Sequence, residues 1–303
     1  MATFRAPHDP VVDNSCEDGL VEDRARPLKE CKSYSYLMEN EAESIRLEIK
    51  TRPELVREQA LWCGVKPGLR VLDAGCGPGK VTAILHEMIR PAGSILGVDY
   101  SKKRIRHAKR QYGKKPGIDF QLHDLRDPLN GVGSFDLIWV RFVLEYNLLE
   151  SPEIVKNLTA CLKPGGHLCL LDLDHNCLSH YKLPTEMEKV LFELMNRLER
   201  EYNFDPYSGR KLYSYLYDVG YHNIALNVVP YNLIYGKIRE ADLFNWRKKA
   251  EVASLRTIQL FDDYPGGRDS FLVDFSRFFN DPRRFTYTPL ILCKGMKPGL
   301  DQF

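Results

Sequence analysis

The stretch Val71-Leu72-Asp73-Ala74-Gly75-Cys76-Gly77-Pro78-Gly79-Lys80 decides how this chain is read. A short apolar run ends in an acid. Three glycines follow at alternate positions, and an amphipathic segment then begins. Glycine lets the backbone turn sharply and lets a ligand reach main-chain atoms with no Cβ in the way. From Lys80 to Arg90, the residues Val81, Ile84, Leu85, Met88 and Ile89 fall on one helical stripe. A helix start offers unpaired N–H groups. Strand, glycine turn and helix together make a nucleotide-type binding edge.

Outward from the turn, strands and helices alternate. Leu69–Ala74, Ser94–Val98 (ending at Asp99), Ile118–Leu122 and Phe135–Val140 read as strands. Ser101–Tyr112 reads as a helix with Ser101 as its N-cap, and Pro152–Cys161 as another. Lys163-Pro164-Gly165-Gly166 reads as a turn, and His167–Leu173 as a fifth strand, continuously apolar as a buried parallel strand is. The alternation implies a mostly parallel sheet with helices on both faces. Upstream, Glu41–Trp62 is helical in pattern, with Pro53 starting a second helix after a break at Thr51-Arg52. Downstream the rhythm changes. Met187, Val190, Leu191, Leu194, Met195 and Leu198 form a long stripe, Lys211–Val219 and Ile238–Leu260 are expected helical, and Tyr221–Val229 and Phe285–Cys293 are expected strands.

Composition bounds the function. The 303 residues suffice for one large α/β domain with insertions. The formal net charge is +2, from 43 basic and 41 acidic residues, which gives no support to a general polyanion binder. A basic run, Lys102, Lys103, Arg104, Arg106, Lys109 and Arg110, falls on an expected helix and reads as a solvated face. Eight cysteines without a C-x-x-C pair read as reduced thiols. Residues 1–31 have no apolar signal-type segment, and no run of about 18 apolar residues suggests a membrane span. The expectation is a cytoplasmic protein.

The spacing of the turn discriminates between nucleotides. In the NAD-type G-x-G-x-x-G the third glycine serves close packing; counted from Gly75, that position is Lys80. A P-loop G-x-x-x-x-G-K-[ST] is missing too. An acid at Asp73, just before the turn, suits a ligand carrying an ammonium group and is a poor neighbour for a pyrophosphate.

Val71–Gly79 resembles motif I of the class I S-adenosylmethionine-dependent methyltransferases. Gly97-Val98-Asp99 is similar to motif II, His123-Asp124-Leu125 to motif III, Phe135-Asp136-Leu137-Ile138 to motif IV, and Leu162–Gly166 to the turn before strand five. The resemblance covers roughly residues 34–175, returns in Phe285–Pro298, and is best to the small-molecule, ubiquinone/menaquinone-type branch. It implies a Rossmann-like seven-stranded methyltransferase fold with a helical lid insertion. The expected organisation is a flexible arm over 1–33, a cofactor-binding core with a helical cap over 34–175, a substrate lid over 176–280 that includes a core strand near 221–229, and a final core strand and tail over 281–303.

The resemblance also implies a cofactor, S-adenosyl-L-methionine, left as S-adenosyl-L-homocysteine, and a set of residues around it. Gly75, Gly77 and Gly79, with Cys76 as a small filler, would pass under its methionine part, and Asp73 would face its ammonium. Asp99 would accept the ribose hydroxyls, Tyr100 would stack on adenine, and Asp124 would accept from the adenine amine with Leu125 alongside. Val140 and Arg141, after strand four with Glu145 nearby, would lie near the sulfonium and the substrate entrance. Tyr36 and Arg46, the latter in Glu43-Ser44-Ile45-Arg46-Leu47, resemble the N-terminal cap of some members. The acids all fall at carboxyl ends of strands, where such sheets bind ligands. Their plain structural readings remain open: Asp73 as a turn cap, Asp99 as part of a helix cap, Asp124 as a solvated turn residue, Tyr100 as packing.

Asp174 and His175, after strand five, are the candidate base or orienting residues. Together with Cys177 and His180 they match no standard zinc spacing, and no metal is expected. The lid carries many aromatics, which fits a flat or lipophilic acceptor and fits an ordinary core equally well. The Asn-Pro-Pro-Tyr signature of adenine-N6 enzymes is missing, so a nucleic-acid acceptor is disfavoured. The expected activity is methyl transfer to a small aromatic or lipophilic molecule, by a monomer or homodimer. The alternatives are a cofactor-binding protein without methyl transfer, or a protein methyltransferase.

Overall fold

In the computed structural model the described residues are 37–38 and 43–299. The expected arm over 1–33, and Tyr36, lie outside them. The described chain opens with helices α1 (Glu43–Lys50) and α2 (Pro53–Cys63). They cannot be continuous, because a residue before proline is driven out of the helical region. Arg52 is extended, at φ −94° and ψ 113°, and Pro53 takes the first helical position, where its missing N–H costs nothing.

The alternating elements follow: β1 (Arg70–Ala74), α3 (Lys80–Ile89), β2 (Ser94–Asp99), α4 (Lys102–Tyr112), β3 (Ile118–Leu122), β4 (Phe135–Arg141), α5 (Ser151–Ala160) and β5 (Leu162–Leu173). Ser101 caps α4, its side chain accepting from the Arg104 N–H. Beyond them come β6 (His180–Tyr181), α6 (Thr185–Tyr202), α7 (Leu212–Asp218), β7 (His222–Pro230), β8 (Ile234–Tyr235), α8 (Glu240–Arg256), α9 (Gly267–Asn280), β9 (Phe285–Thr286) and β10 (Pro289–Met296).

The main sheet has seven strands in the order β3-β2-β1-β4-β5-β10-β7. Strands β1 to β5 are mutually parallel, and β10 runs antiparallel to both β5 and β7. The seven-stranded, mostly parallel architecture expected from sequence is therefore present. Strand order reverses at β1, which pairs with β2 on one side and β4 on the other. That reversal opens a crevice at the carboxyl ends, beside the glycine turn.

Alternation along the strands builds both core layers. Val71, Leu137, Trp139 and Leu171 pack with Leu85 and Phe120 on one face. Leu72, Ile138, Val140 and Leu170 pack with Val155 and Leu158 on the other. A third cluster lies in α6, α8 and α9, where Leu191, Leu194, Trp246, Phe271, Phe275 and Phe279 are buried together. Among the described residues, no helix is long and apolar enough to cross a membrane.

Four local expectations need correction. Lys163–Gly166 is not a free turn but a bulge inside β5: the register jumps from Phe135 opposite Leu162 to Leu137 opposite His167. Pro164 has no N–H to give a ladder, and the Gly165 N–H goes to the Lys297 carbonyl instead. Phe285–Cys293 is two strands, because β9 leaves the main sheet to pair with β6 and β8 in a small three-stranded sheet before β10 begins. The helix expected over Ile238–Leu260 stops at Arg256 and passes through Thr257 into a short 3₁₀ turn, Ile258–Phe261. Helix α9 was not expected. Its Phe271, Phe275, Phe278 and Phe279 fall at helical spacing, directly after the turn residues Pro265-Gly266-Gly267.

Candidate functional site

The glycine turn forms the floor of a cleft of about 1140 Å³ at the carboxyl ends of the strands. The Gly75 and Cys76 N–H groups both donate to the Val98 carbonyl, at 2.8 and 2.9 Å, which ties the turn to β2. Gly75 sits at φ +80°, and a Cβ there would run into the Val143 side chain. Gly79 sits at φ +94°, where a Cβ would lie 2.8 Å from Ala108 and 3.0 Å from Phe120. The first glycine lets Val143 pack onto the turn at the cleft; the last lets α3 pack against α4 and β3. Lys80, at the third-glycine position of a dinucleotide turn, reaches back to the Glu48 carbonyl and pins α1 over the turn. Leu47 and Lys50 of that helix, and Thr51 just after it, line the cleft.

The three acids sit at the ends of neighbouring strands in different environments. Asp73 is 2% exposed and lies beneath the turn, its Oδ2 accepting from the Thr82 hydroxyl at 2.6 Å. Burial pushes its carboxyl up to about 7, against the pull of Thr82 and Arg141. Asp99 is 7% exposed and lines the cleft. Its Oδ2 accepts from the Gly77 N–H at 2.9 Å, and its Oδ1 accepts from the Ser101 N–H at 2.9 Å and Arg104 Nε at 3.1 Å. Asp124 also lines the cleft, and its carboxylate is chelated by Arg126, which holds it below the usual carboxylate range.

Tyr100, Leu125 and Cys76 line the same cleft. Burial pushes the Cys76 thiol well up, so it is a neutral filler. Arg141 lines the cleft as well, its Nε on Gln59 Oε1 at 3.0 Å and its guanidinium 4.1 Å from the Phe142 ring centroid. The Val140 side chain points away, into the core beside Ala74 and Leu170. Arg46 is fully buried off the cleft, bound to both Glu43 oxygens and to Asn245 Oδ1 of α8 at 2.6 Å.

Asp174 and His175 do not line the cleft. Asp174 is clamped by Arg210 at 2.8 and 2.9 Å, and His175, at φ +51°, meets the Tyr207 ring edge-on at 5.3 Å. Two residues earlier, Asp172 points inward and accepts from the Glu145 N–H at 3.0 Å. Sequence reasoning missed Lys50, Arg104 and Arg126. The cleft-facing part of α1 and Arg126 carried no motif, and Arg104 read as one charge of a solvated basic face. Among the described residues, no cluster of three or more His, Cys, Asp or Glu side chains could hold a metal ion.

The comparisons agree with this geometry. Residues 71–166 match a methyltransferase domain family. The demethylmenaquinone methyltransferase of Lactococcus lactis is 32% identical over 126 residues, covering 40% of this chain and 48% of that protein. The YcgJ protein of Bacillus subtilis superposes with a TM-score of 0.52 at 18% identity, over 82% of this chain and 99% of that one. A phosphoethanolamine N-methyltransferase of Haemonchus contortus, solved with S-adenosylhomocysteine, gives a TM-score of 0.50 at 14% identity over 81% of this chain and 52% of that one. The chain spans about half the length of the curated quinone-methylating relative it matches. Sheet order, glycine turn and matched segment agree: residues 71–166 match a methyltransferase domain family, and the fold around them is Rossmann-like.

Proposed function

We propose that this protein is an S-adenosylmethionine-dependent methyltransferase acting on a small, aromatic or lipophilic molecule, with S-adenosylhomocysteine as the product left behind. The observation that carries this is the glycine turn on which Val143 packs directly at Gly75, flanked in one cleft by Asp99 and Asp124. Those acids end β2 and follow β3. The methyltransferase domain match and the quinone-methylating relative support the same reading.

S-adenosylmethionine supplies a methyl group on a sulfonium, which departs as a neutral thioether. This chain's residues hold and orient. Asp73, beneath the turn, is placed to favour an ammonium above it. Asp99 has lone-pair capacity beyond its three donors for a ribose hydroxyl, and Asp124 stands at the far wall with Tyr100. Leu47, Phe142, Val143 and Tyr146 exclude water from the reacting centre. Alignment of donor and acceptor in a closed cleft is the main demand of such a displacement.

Calorimetric titration with S-adenosylmethionine, S-adenosylhomocysteine and NAD tests the reading. Both adenosyl compounds should bind and NAD should not. Binding of NAD with neither adenosyl compound would overturn it.

A further inference from the structure

A second, small hollow lies among α6, α8 and α9 next to the cleft. Tyr146 lines both. Nearly all of the second wall is apolar: Leu37, Leu191, Leu194, Leu198 and Phe275 are among its residues. Its charged group is Lys249, accompanied by Asn176.

The polar end is built, not incidental. Asn176 gives its amide N–H to Glu145 Oε2 at 2.9 Å and presents its carbonyl oxygen to Lys249 Nζ at 3.4 Å. Asn176 thus ties Glu145 to Lys249, whose Nζ also lies 5.4 Å from the Trp246 ring centroid, and Lys249 is the charged group lining the cavity. Glu145 is 2% exposed, and Asp172 fixes its backbone. On the cleft side stands a second lysine, Lys50, 4.9 Å from the Phe142 ring centroid.

The groups facing Lys249 are Glu145 from the turn after β4, Glu43, Arg46 and Lys50 from α1, and Cys177 beside it. Arg46 and Glu43 bind one another. Burial pushes the Asp172 carboxyl well up, which favours its neutral form. Burial raises the Glu145 carboxyl as well, against the pull of Lys249 and Lys50, so a single acid faces two lysines. Burial lowers both lysines, and Glu145 can compensate only one ammonium at a time. The other is left either to give up its proton or to meet an anion.

Resting on the methyltransferase reading above, we propose that the lid cavity receives the methyl acceptor, an apolar molecule bearing one weakly acidic hydroxyl, and that Lys249 takes the proton of that hydroxyl. A phenol- or enol-type hydroxyl needs only one partner. In the step, the O–H bond breaks and its proton passes to the Nζ lone pair. The electron pair left on oxygen forms the new O–C bond while the methyl–sulfur bond gives its pair to sulfur. Glu145 and Asn176 are positioning residues that hold Nζ and balance its charge once protonated.

The test uses the full chain with S-adenosylhomocysteine present, and 1-naphthol and 1-methoxynaphthalene as probes. Wild type should bind 1-naphthol about tenfold or more tighter than its methyl ether, the discrimination expected of one charge-assisted hydrogen bond. The bound probe should show the absorption of the naphtholate anion. Lys249→Met should bind the two probes equally and lose the naphtholate signal while S-adenosylhomocysteine affinity holds. Ala250→Phe, which fills the cavity, should lose both probes and also keep S-adenosylhomocysteine. Equal binding of the probes by wild type, no binding of either, or a naphthol preference that survives Lys249→Met would overturn the proposal. Failure of wild type to bind S-adenosylhomocysteine is a separate result and would count against the methyltransferase reading itself.

Discussion

Thr82, in the first turn of α3, donates its hydroxyl to Asp73 Oδ2 at 2.6 Å across the base of the glycine turn. The contact fixes the acid under the cleft and pulls its proton affinity down, while burial raises that affinity more, to about 7 from the ordinary 3.8. Between about pH 4 and pH 7 the folded protein therefore holds a proton that the unfolded chain has already lost. Stability should fall as pH rises through that window, by at most ~4 kcal/mol, and flatten above it. Asp73→Asn should remove the slope, as read by denaturant unfolding at about pH 5 and about pH 8. An ammonium placed over Asp73 favours its charged form, so S-adenosylmethionine binding at about pH 6 should release a proton in wild type and none in Asp73→Asn. Calorimetry in buffers of different ionisation enthalpy measures that release.

Asp99 spends three of its lone-pair positions on the Gly77 N–H, the Ser101 N–H and Arg104. It is thus both a loop clamp and the proposed ribose acceptor. Asp99→Ala should weaken S-adenosylhomocysteine by about 10- to 100-fold, as expected for a charged group's hydrogen bonds lost in a dry site. It should also cost ~1–3 kcal/mol of stability, because the Gly77 and Ser101 donors lose their acceptor. Unchanged affinity beside the lowered stability would leave Asp99 as a clamp alone.

What was legible in the sequence and what was not follow from how each signal is encoded. The parallel sheet was readable because β1, β2 and the second half of β5 are apolar runs, and β1 and β2 each carry an acid at or near their end and run into a turn or helix start. The acids lining the crevice were readable because they end or follow strands. Val140 and Arg46 show the limit: a residue's position in a motif does not say which way its side chain points. The alternation that exposes Arg141 to the cleft sends Val140 into the core. The lid was harder still. Its core is made by α6, α8 and α9 meeting one another, and contacts between segments about 80 residues apart leave no local period. Helix α8 carries Trp246, Ala250 and Ala253 inward with an otherwise charged sequence, so its apolar stripe is thin. The pairing of Glu145 with Asn176, 31 residues away, is of the same kind.

Gly75 tests the cleft floor directly. Gly75→Ala would place a side chain at φ +80° against Val143. The left-handed conformation and the clash together should cost ~1–3 kcal/mol and sharply weaken cofactor binding. Adding Val143→Ala removes the clash but not the conformational cost, so the double variant should recover part of the stability. Thermal unfolding with and without S-adenosylhomocysteine reads both effects.

Phe271 tests the independence of the lid core. It is fully buried against Phe261, Tyr264 and Phe275, with ring centroids 4.8 to 5.7 Å away. Phe271→Ala should destabilise the protein by ~3–5 kcal/mol through the cavity it leaves. None of these rings lines the cleft, so the folded fraction should bind S-adenosylhomocysteine with wild-type affinity. A parallel loss of affinity would mean that the lid's order is transmitted to the cleft.

Arg46 separates a cofactor role from a structural one. Its guanidinium ties α1 to α8, holding Glu43 at 2.7 and 2.8 Å and Asn245 at 2.6 Å, with almost no exposure to water. Removing one partner of a buried pair leaves an uncompensated charge, so Arg46→Met should cost ~3–5 kcal/mol. Arg46→Met with Glu43→Leu removes both charges and should recover part of that loss, because well-packed apolar replacements of buried pairs are often neutral. Both variants should still bind S-adenosylhomocysteine, since α1 reaches the cleft through Leu47 and Lys50. If the double variant regains stability but its S-adenosylhomocysteine affinity stays low, Arg46 acts on the cofactor beyond its link to α8. Calorimetry on the two variants, paired with their denaturation midpoints, decides between these roles.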